Sequence, residues 1–217
     1  MGQLPSIGRR GLLAALAAAP LASLVSACDA RPEPATPGSQ REGATIYVVG
    51  DSLTEGNSPD FANKQFGEWS WVSHLDPRVT VVGGWAKGGA TTQDMAQAVV
   101  ASDAEMLVML AGTNDTASVD FEQTSSNLQT IVDKVGASLV VVSTLPPRDD
   151  QPQRNVDFNA KLAELTKAKG WMLVDPMGGV RNGDRFRPEM TSDGIHLTPA
   201  GAAELGRGFS EAILALP

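Results

Sequence analysis

The chain has 217 residues, 42% of them hydrophobic, and a formal net charge of −8 from 25 acidic and 17 basic residues. This length and hydrophobic content suit one globular domain with a sizeable core plus some additional sequence. An acidic balance without a basic stripe excludes the electrostatic pattern of a nucleic-acid-binding protein. We therefore expect that the protein binds no nucleic acid. We also expect it to be a monomer.

The first 27 residues have the order of a bacterial export signal. Arg9 and Arg10 form a positively charged start, and Leu12 to Val25 is an apolar stretch that is too short, and too interrupted by Pro20, for a typical membrane span. The paired arginines match a twin-arginine signal only in part, so that route and the general export route both stay open. Residues 1–27 are predicted to be a signal peptide.

Cys28 is the only cysteine in the chain. The run Val25-Ser26-Ala27-Cys28 resembles the lipobox of bacterial lipoproteins, in which the cysteine is lipidated. An ordinary cleavage site followed by an incidental cysteine is the alternative, but the position, flanks and uniqueness of Cys28 favour the lipobox. We predict an exported, extracytoplasmic protein that is anchored to the cell membrane through Cys28. The proline-containing residues 28–43 then form a flexible tether.

From Ala44 to the end, short β-branched runs alternate with amphipathic helical patterns. This alternation predicts an α/β domain over residues 44–217: a five-stranded parallel sheet in a three-layer α/β/α sandwich. Its ligands should bind beyond the carboxyl ends of the strands. The predicted strands are Thr45–Val49, Val79–Val82, Met106–Ala111, Ser138–Ser143 and Trp171–Val174. The predicted helices are Gly67–Leu75, Thr92–Ser102, Phe121–Val135, Asn155–Lys169 and Pro199–Leu214.

Two candidate catalytic residues directly follow predicted strands. Ser52 stands in Gly50-Asp51-Ser52-Leu53, just past the first strand, although the same residues would also make a good turn. Asn114 follows the third strand and would lie near Ser52 in a flavodoxin-like 2-1-3-4-5 sheet. Its side-chain amide could then donate a hydrogen bond to a developing oxyanion. The neighbouring Asp115 is interpreted as a turn or helix-capping residue.

The loop after the second strand is rich in glycine, from Gly83 to Gly89. Glycines can bring a backbone N–H close to a ligand. A glycine-rich loop before a helix is also a common phosphate cradle, but the spacings of nucleotide-binding motifs are absent here.

A histidine base must be one of the two histidines of the domain. His74 falls inside a helical pattern and is interpreted as a packed or solvated helix residue. His196 is predicted on a loop after the last strand, with Asp193 three residues earlier. Asp193 can fold back to hold the imidazole Nδ1–H, which leaves Nε2 free to accept the Ser52 proton.

Together these blocks resemble the SGNH, or GDSL, hydrolase family. Gly50-Asp51-Ser52-Leu53 matches the nucleophile block, Gly112-Thr113-Asn114-Asp115 the asparagine block, and Asp193-Gly194-Ile195-His196 the final block. The resemblance implies the flavodoxin-like fold of this family and no metal or organic cofactor. It also implies an oxyanion hole made by the backbone N–H groups of Ser52 and Gly89 with the Asn114 side chain. The adjacent Gly88 could serve in place of Gly89.

The expected activity is ester hydrolysis through an acyl-enzyme, with Ser52 as nucleophile and His196 as general base. No long apolar insertion forms a lid, so we expect a short acyl group on a small-molecule or carbohydrate ester. Four aromatic residues either border the substrate or pack the first helix: Phe61, Phe66, Trp69 and Trp71. An O-acyltransferase with the same residues and a noncatalytic surface-anchored binding lipoprotein are the alternatives. Acylated products formed with a sugar acceptor would identify the acyltransferase. Failure of a fluorophosphonate to label Ser52 would identify the binding lipoprotein.

Overall fold

The computed structural model describes residues 41–217. The predicted signal peptide, Cys28 and nearly all of the tether lie outside the described residues. Five parallel strands form the central sheet in the order β2-β1-β3-β4-β5, as predicted. The strands are β1 (Ala44–Gly50), β2 (Val79–Ala86), β3 (Met106–Leu110), β4 (Leu139–Ser143) and β5 (Met172–Val174).

Six α-helices and a small hairpin complete the described part of the chain. The helices are α1 (Ser52–Glu55), α2 (Thr92–Ala98), α3 (Asp115–Ser118), α4 (Phe121–Val135), α5 (Pro152–Lys169) and α6 (Pro199–Leu214). Three 3₁₀ turns cover Trp71–His74, Pro176–Gly179 and Pro188–Met190, and β6 (Arg181–Asn182) pairs antiparallel with β7 (Arg185–Phe186). No helix within residues 41–217 is long and apolar enough to cross a membrane.

Helices cover both faces of the sheet because the direction in which successive strands are added across the sheet reverses after β2. Right-handed crossovers that run one way from β1 to β2 and the other way from β2 to β5 place their helices on opposite faces. On one side α2 packs against α4 and α4 against α5; on the other α6 packs against all three 3₁₀ turns. The central strand β3 is wholly buried, which explains its uninterrupted apolar sequence. The predicted α/β/α sandwich is confirmed.

The helix predicted over Gly67–Leu75 is wrong: only Trp71–His74 forms a 3₁₀ turn. The Ser70 hydroxyl accepts the Val72 N–H at 3.3 Å, which caps this short turn, and donates a hydrogen bond of 2.5 Å to the Thr54 carbonyl, which ties the turn to α1. Trp71 is drawn into the core, where it is fully buried and stacks on Phe209 with ring centroids 3.9 Å apart. Tertiary packing therefore overrides the helical pattern here.

Three other boundaries differ from the predicted ones by more than one residue. α2 ends at Ala98 rather than Ser102, because Val99 is extended and the Lys134 ammonium donates to the Ala96 carbonyl at the helix end. α5 begins at Pro152, a residue suited to the first turn of a helix. β2 continues to Ala86 and carries the chain to the sheet edge where the glycine loop begins.

Candidate active site

The carboxyl ends of β1, β2 and β3 lie side by side. In the register of the sheet, Gly50 at the end of β1 pairs with Ala86 of β2 and with Leu110 of β3. The turns that follow these strands carry Ser52, the glycine loop and Asn114. The fold therefore gathers three of the predicted site residues at one edge, at the point where the strand order reverses.

Ser52 is held by a tight turn between β1 and α1. A Cβ at Gly50 would lie 2.1 Å from the Thr54 hydroxyl and 3.0 Å from the Leu110 carbonyl, so only glycine fits. Asp51 caps α1, its carboxylate accepting a hydrogen bond of 3.0 Å from the Leu53 N–H. Ser52 is the first residue of α1, so the start of this helix fixes the Ser52 backbone.

A chain of hydrogen bonds links Ser52, His196 and Asp193. The Ser52 Oγ lies 3.1 Å from His196 Nε2, and His196 Nδ1 lies 2.8 Å from Asp193 Oδ2. A proton on Nδ1 donates to the carboxylate, so the Nε2 lone pair faces the serine hydroxyl. The hydroxyl, the imidazole and the carboxylate thus form one hydrogen-bonded chain, which is the arrangement that a serine nucleophile with a histidine base requires.

The loop that carries His196 is folded around Asp193. The carboxylate Oδ1 of Asp193 accepts the N–H groups of Ile195 at 2.9 Å and of His196 at 2.7 Å. Gly194 takes a left-handed conformation with φ of 79°, which glycine adopts readily. Burial alone would raise the pKa of Asp193, but the hydrogen bonds from the His196 ring and from these N–H groups lower it. The carboxylate is therefore ionised and available to orient the imidazole.

In the described part of the chain, the turns after β1, β2 and β3 carry three hydrogen-bond donors with unengaged hydrogens: the N–H groups of Ser52 and Gly89 and the Asn114 amide. Within residues 41–217, the N–H groups of Ser52 and Gly89 have no hydrogen-bond acceptor. One hydrogen of the Asn114 amide donates to the Ala90 carbonyl at 2.9 Å, which fixes the side chain and leaves its second hydrogen free. The Gly88 N–H is already engaged, because it donates to Glu55 Oε2 at 2.7 Å. Of the two adjacent glycines, Gly89 is the one with a free N–H.

Glu55 is a residue of this site that the sequence analysis did not single out. It lies in the same turn of helix as Ser52, and its carboxylate reaches across to the glycine loop, 33 residues later in the chain. The position of Glu55, three residues after Ser52, is the only sequence signal that could have drawn attention to it.

A cavity of about 420 Å³ opens in front of Ser52 and His196, and we refer to it as the catalytic crevice. Of the four predicted aromatic residues, only Trp69 lines it. Trp71 and Phe61 are buried in the core, and Phe66 packs edge-on against Phe61. The remaining lining residues are Leu53, Glu55, Gly56, Asn57, Gly88, Ser192, Asp193 and Leu197.

His74 and Asp115 lie away from the reacting groups. His74 is in the 3₁₀ turn, where its Nε2 is 2.8 Å from the Glu68 carbonyl oxygen. Asp115 is fully buried and accepts the N–H of Thr92, the first residue of α2, at 2.9 Å. It also accepts the Thr124 hydroxyl at 2.7 Å. Asp115 therefore anchors the start of α2, the helix that follows the glycine loop.

Asp51 is an unusual neighbour for a nucleophile, because its side chain is fully buried. One carboxylate oxygen accepts the Leu53 N–H, and the other has no hydrogen-bond partner among residues 41–217. Burial raises the pKa of Asp51 to about 6. The hydrogen bond from Leu53 opposes that rise most, followed by the Thr113 side chain and then the nearby His196.

Residues 48–204, well over half of the chain, match the model of the GDSL-like lipase/acylhydrolase family. The chain belongs to this family. The SGNH/GDSL prediction is therefore confirmed, and this GDSL-like hydrolase is an enzyme of the SGNH type that hydrolyses esters. A search of curated proteins found no match.

Solved structures share the fold of this GDSL-like hydrolase. A GDSL-like lipase from Bacteroides thetaiotaomicron is 21% identical, with a TM-score of 0.58 over 78% of this chain and 87% of that one. A member of the lipolytic G-D-S-L family from Veillonella parvula is 15% identical, with a TM-score of 0.60 over 79% and 99%. A variant of an acetyl xylan esterase from Geobacillus stearothermophilus is 17% identical, with a TM-score of 0.60 over 79% and 95%.

Proposed function

We propose that this enzyme hydrolyses esters of short acyl groups through an acyl-enzyme on Ser52, with His196 as the general base. The observation that carries the proposal is the unbroken chain of hydrogen bonds from Ser52 through His196 to Asp193, at 3.1 Å and 2.8 Å. The free N–H groups of Ser52 and Gly89 and the free amide hydrogen of Asn114 add the donors that acyl transfer requires.

In the first half-reaction, Ser52 Oγ bonds to the carbonyl carbon of the ester while His196 Nε2 takes the hydroxyl proton. Asp193 stabilises the imidazolium that results. Negative charge develops on the carbonyl oxygen, which the proposed oxyanion hole of Ser52, Gly89 and Asn114 receives. The bond from carbon to the alcohol oxygen then breaks, and Nε2 returns its proton to the departing alkoxide.

In the second half-reaction, water takes the place of the alcohol. His196 Nε2 accepts a proton from the water as its oxygen bonds to the acyl carbon, and the Ser52–acyl bond then breaks as the proton passes to Oγ. The His196 side chain is 46% exposed, so water has direct access to its free nitrogen. This access meets the requirement of the hydrolytic step.

A short acyl group fits the lining of the catalytic crevice. Its apolar members are Leu53, Trp69 and Leu197, and two of these, Leu53 and Leu197, are only 2% and 3% exposed. A long alkyl chain would therefore lie mostly against carboxylate, amide and hydroxyl groups, which bind it poorly. A carbohydrate ester is favoured for the same reason, and the structural neighbour named as an acetyl xylan esterase supports that class of substrate.

The test is hydrolysis of p-nitrophenyl acetate by the wild-type enzyme and by Ser52→Ala. The variant should lose activity by at least about 10³-fold while keeping its melting temperature within a few degrees. Ser126→Ala, at an exposed position of α4, is the matched control and should retain full activity. Retention of most activity by Ser52→Ala would overturn the proposed nucleophile. Acylated sugar in place of free acid, when a sugar acceptor is added, would identify a transferase.

We also propose export of the protein and its anchoring to the membrane by lipid on Cys28. The support is the sequence alone: the charged start, the apolar stretch and the Val25-Ser26-Ala27-Cys28 run. Growth with radiolabelled palmitate should label the wild-type protein, and Cys28→Ser should remove the label and release the protein from the membrane fraction. An unlabelled wild-type protein would refute the lipid anchor.

A further inference from the structure

A second cavity of about 430 Å³ lies beside the catalytic crevice, on the other side of the glycine loop. It is lined by residues from the end of β2 through the loop to α2: Trp85, Lys87, Gly88, Gly89, Ala90, Asp94, Gln97 and Ala98. Gly88 lines both cavities, so they adjoin at this residue. A Cβ at Gly88 would be 3.9 Å from the Cβ of Ser52, so the second cavity begins next to the nucleophile.

The second cavity offers one aromatic surface and several unengaged polar groups. Trp85 is half-buried, with one part packed against the core and the other lining the cavity. Within residues 41–217, no hydrogen-bond partner engages the Trp85 Nε1–H, the Gln97 side chain or Asp94 Oδ1. An aromatic face beside donors and acceptors suits a ring with apolar C–H faces and hydroxyl edges, which describes a saccharide.

The ridge between the two cavities is low because it is made of glycine. Gly88 and Gly89 have no side chains, and a Cβ at Gly89 would meet no atom within 4 Å. A side chain at Gly89 would enter this open space, whereas a Cβ at Gly88 would lie 3.1 Å from Glu55 Oε2. A ligand bound in the catalytic crevice can therefore cross the loop at two residues that present no side chain of their own.

The charges and the apolar content of the cavity argue against other ligands. Lys87 and Asp94 have opposite charges, so the lining has no excess of positive charge to hold a phosphate or another anion. Apart from Trp85, its apolar side chains are only Ala90 and Ala98, too few to bind an acyl chain. A neutral, polyhydroxylated ligand matches the lining best.

We propose that the second cavity is a saccharide subsite for esters carried on an oligosaccharide, with one sugar ring stacked on Trp85 and its hydroxyls bonded to Gln97 and Asp94. This proposal rests on the proposed esterase function and names the substrate class: an acylated saccharide of several rings that spans both cavities. Trp85 and Gln97 act in binding and take no part in the chemical steps.

The experiment compares p-nitrophenyl acetate with two series of O-acetylated oligosaccharides of one to five rings, built from xylose or from N-acetylglucosamine. For at least one series, kcat/KM of the wild-type enzyme should rise with length. Trp85→Ala should lower kcat/KM of the longest ester of that series about tenfold, mainly through KM, as truncation of a well-packed aromatic anchor does. Its rate on p-nitrophenyl acetate should stay within twofold of the wild-type rate.

Matched variants keep the test independent of folding. Trp85→Phe keeps an aromatic face and should restore most of the length dependence. Gln97→Ala should lower kcat/KM for the longest ester, whereas Gln93→Ala, at another exposed position of the same helix, should leave it unchanged. The subsite is refuted if kcat/KM is independent of length in both series, or if Trp85→Ala and Gln97→Ala alter all esters equally or none. Loss of p-nitrophenyl acetate turnover by Ser52→Ala tests the esterase function separately.

Discussion

The Glu55 carboxylate accepts a hydrogen bond of 2.7 Å from the backbone N–H of Gly88. Glu55 is on α1, the helix that begins with Ser52, and Gly88 is in the loop after β2. This bond ties the glycine loop to the helix of the nucleophile. It also occupies the N–H of Gly88, whereas that of the next residue, Gly89, has no acceptor among residues 41–217.

Removal of the Glu55 side chain should therefore impair catalysis through the position of the loop. For p-nitrophenyl acetate, Glu55→Ala should lower kcat by about 10- to 100-fold with little change in KM, because a displaced oxyanion donor costs mainly transition-state stabilisation. Glu55→Gln keeps an oxygen that can accept the Gly88 N–H and should restore kcat to within about threefold of wild type.

Steady-state kinetics check this prediction, with Glu122→Ala at an exposed position of α4 as the control. A kcat for Glu55→Ala equal to that of the wild type would show that the loop needs no such bond. Equal losses in Glu55→Ala and Glu55→Gln would indicate that charge matters, rather than hydrogen bonding.

Asn114 is held by its bond to the Ala90 carbonyl, and its second amide hydrogen is free. Asn114→Ala should lower kcat for p-nitrophenyl acetate by about 10²- to 10³-fold while KM changes little, as loss of one oxyanion donor does. Thermal unfolding of the variant provides the control for folding. An activity within threefold of the wild-type value would exclude Asn114 from the oxyanion hole.

Asp193 orients the imidazole of His196 through the bond of 2.8 Å to Nδ1. In Asp193→Asn, an amide N–H facing Nδ1 would favour the tautomer with its proton on Nε2, which cannot accept the serine proton. We expect kcat to fall by about 10²- to 10⁴-fold. Asp184→Asn, at an exposed position of the hairpin turn, is the control. Wild-type kcat in Asp193→Asn would mean that the backbone alone positions His196.

The positions of Ser52 and Asn114 could be anticipated from the sequence because each stands in the turn after a strand of an open parallel sheet. Once the strand order is known, the carboxyl ends of neighbouring strands must meet at one edge. The Asp193–His196 contact is local, three residues apart, and so depends little on the rest of the fold. Short-range and topological relationships such as these are what a single sequence encodes most directly.

Side-chain contacts between distant segments could not be anticipated in this way. The bond from Gly88 to Glu55 depends on how a loop packs on a helix 33 residues away. The same limit explains the wrong helix at Gly67–Leu75, since Trp71 finds its partner Phe209 on α6. Trp69 and Trp71 are only two residues apart in the sequence, yet the Trp69 ring lines the catalytic crevice and the Trp71 ring is buried in the core.

The buried carboxyl of Asp51 has a consequence for stability. Burial raises its pKa to about 6 in the folded protein, against an ordinary value of 3.8 for an aspartate side chain. The folded state therefore binds the proton more tightly than the unfolded state, so this group favours folding at low pH. That contribution is lost as the pH rises from about 4 through 6.

Asp51→Asn removes this titration and keeps an oxygen that can accept the Leu53 N–H. Between pH 4.5 and 7.5, the free energy of unfolding of the wild-type protein should fall by about 2 kcal/mol relative to that of the variant. Urea unfolding at a series of pH values measures this difference, because titrations shared by both proteins cancel. Asp133→Asn, at an exposed position of α4, should give a curve parallel to the wild type. A parallel curve for Asp51→Asn would mean that the Asp51 carboxyl titrates alike in the folded and unfolded states.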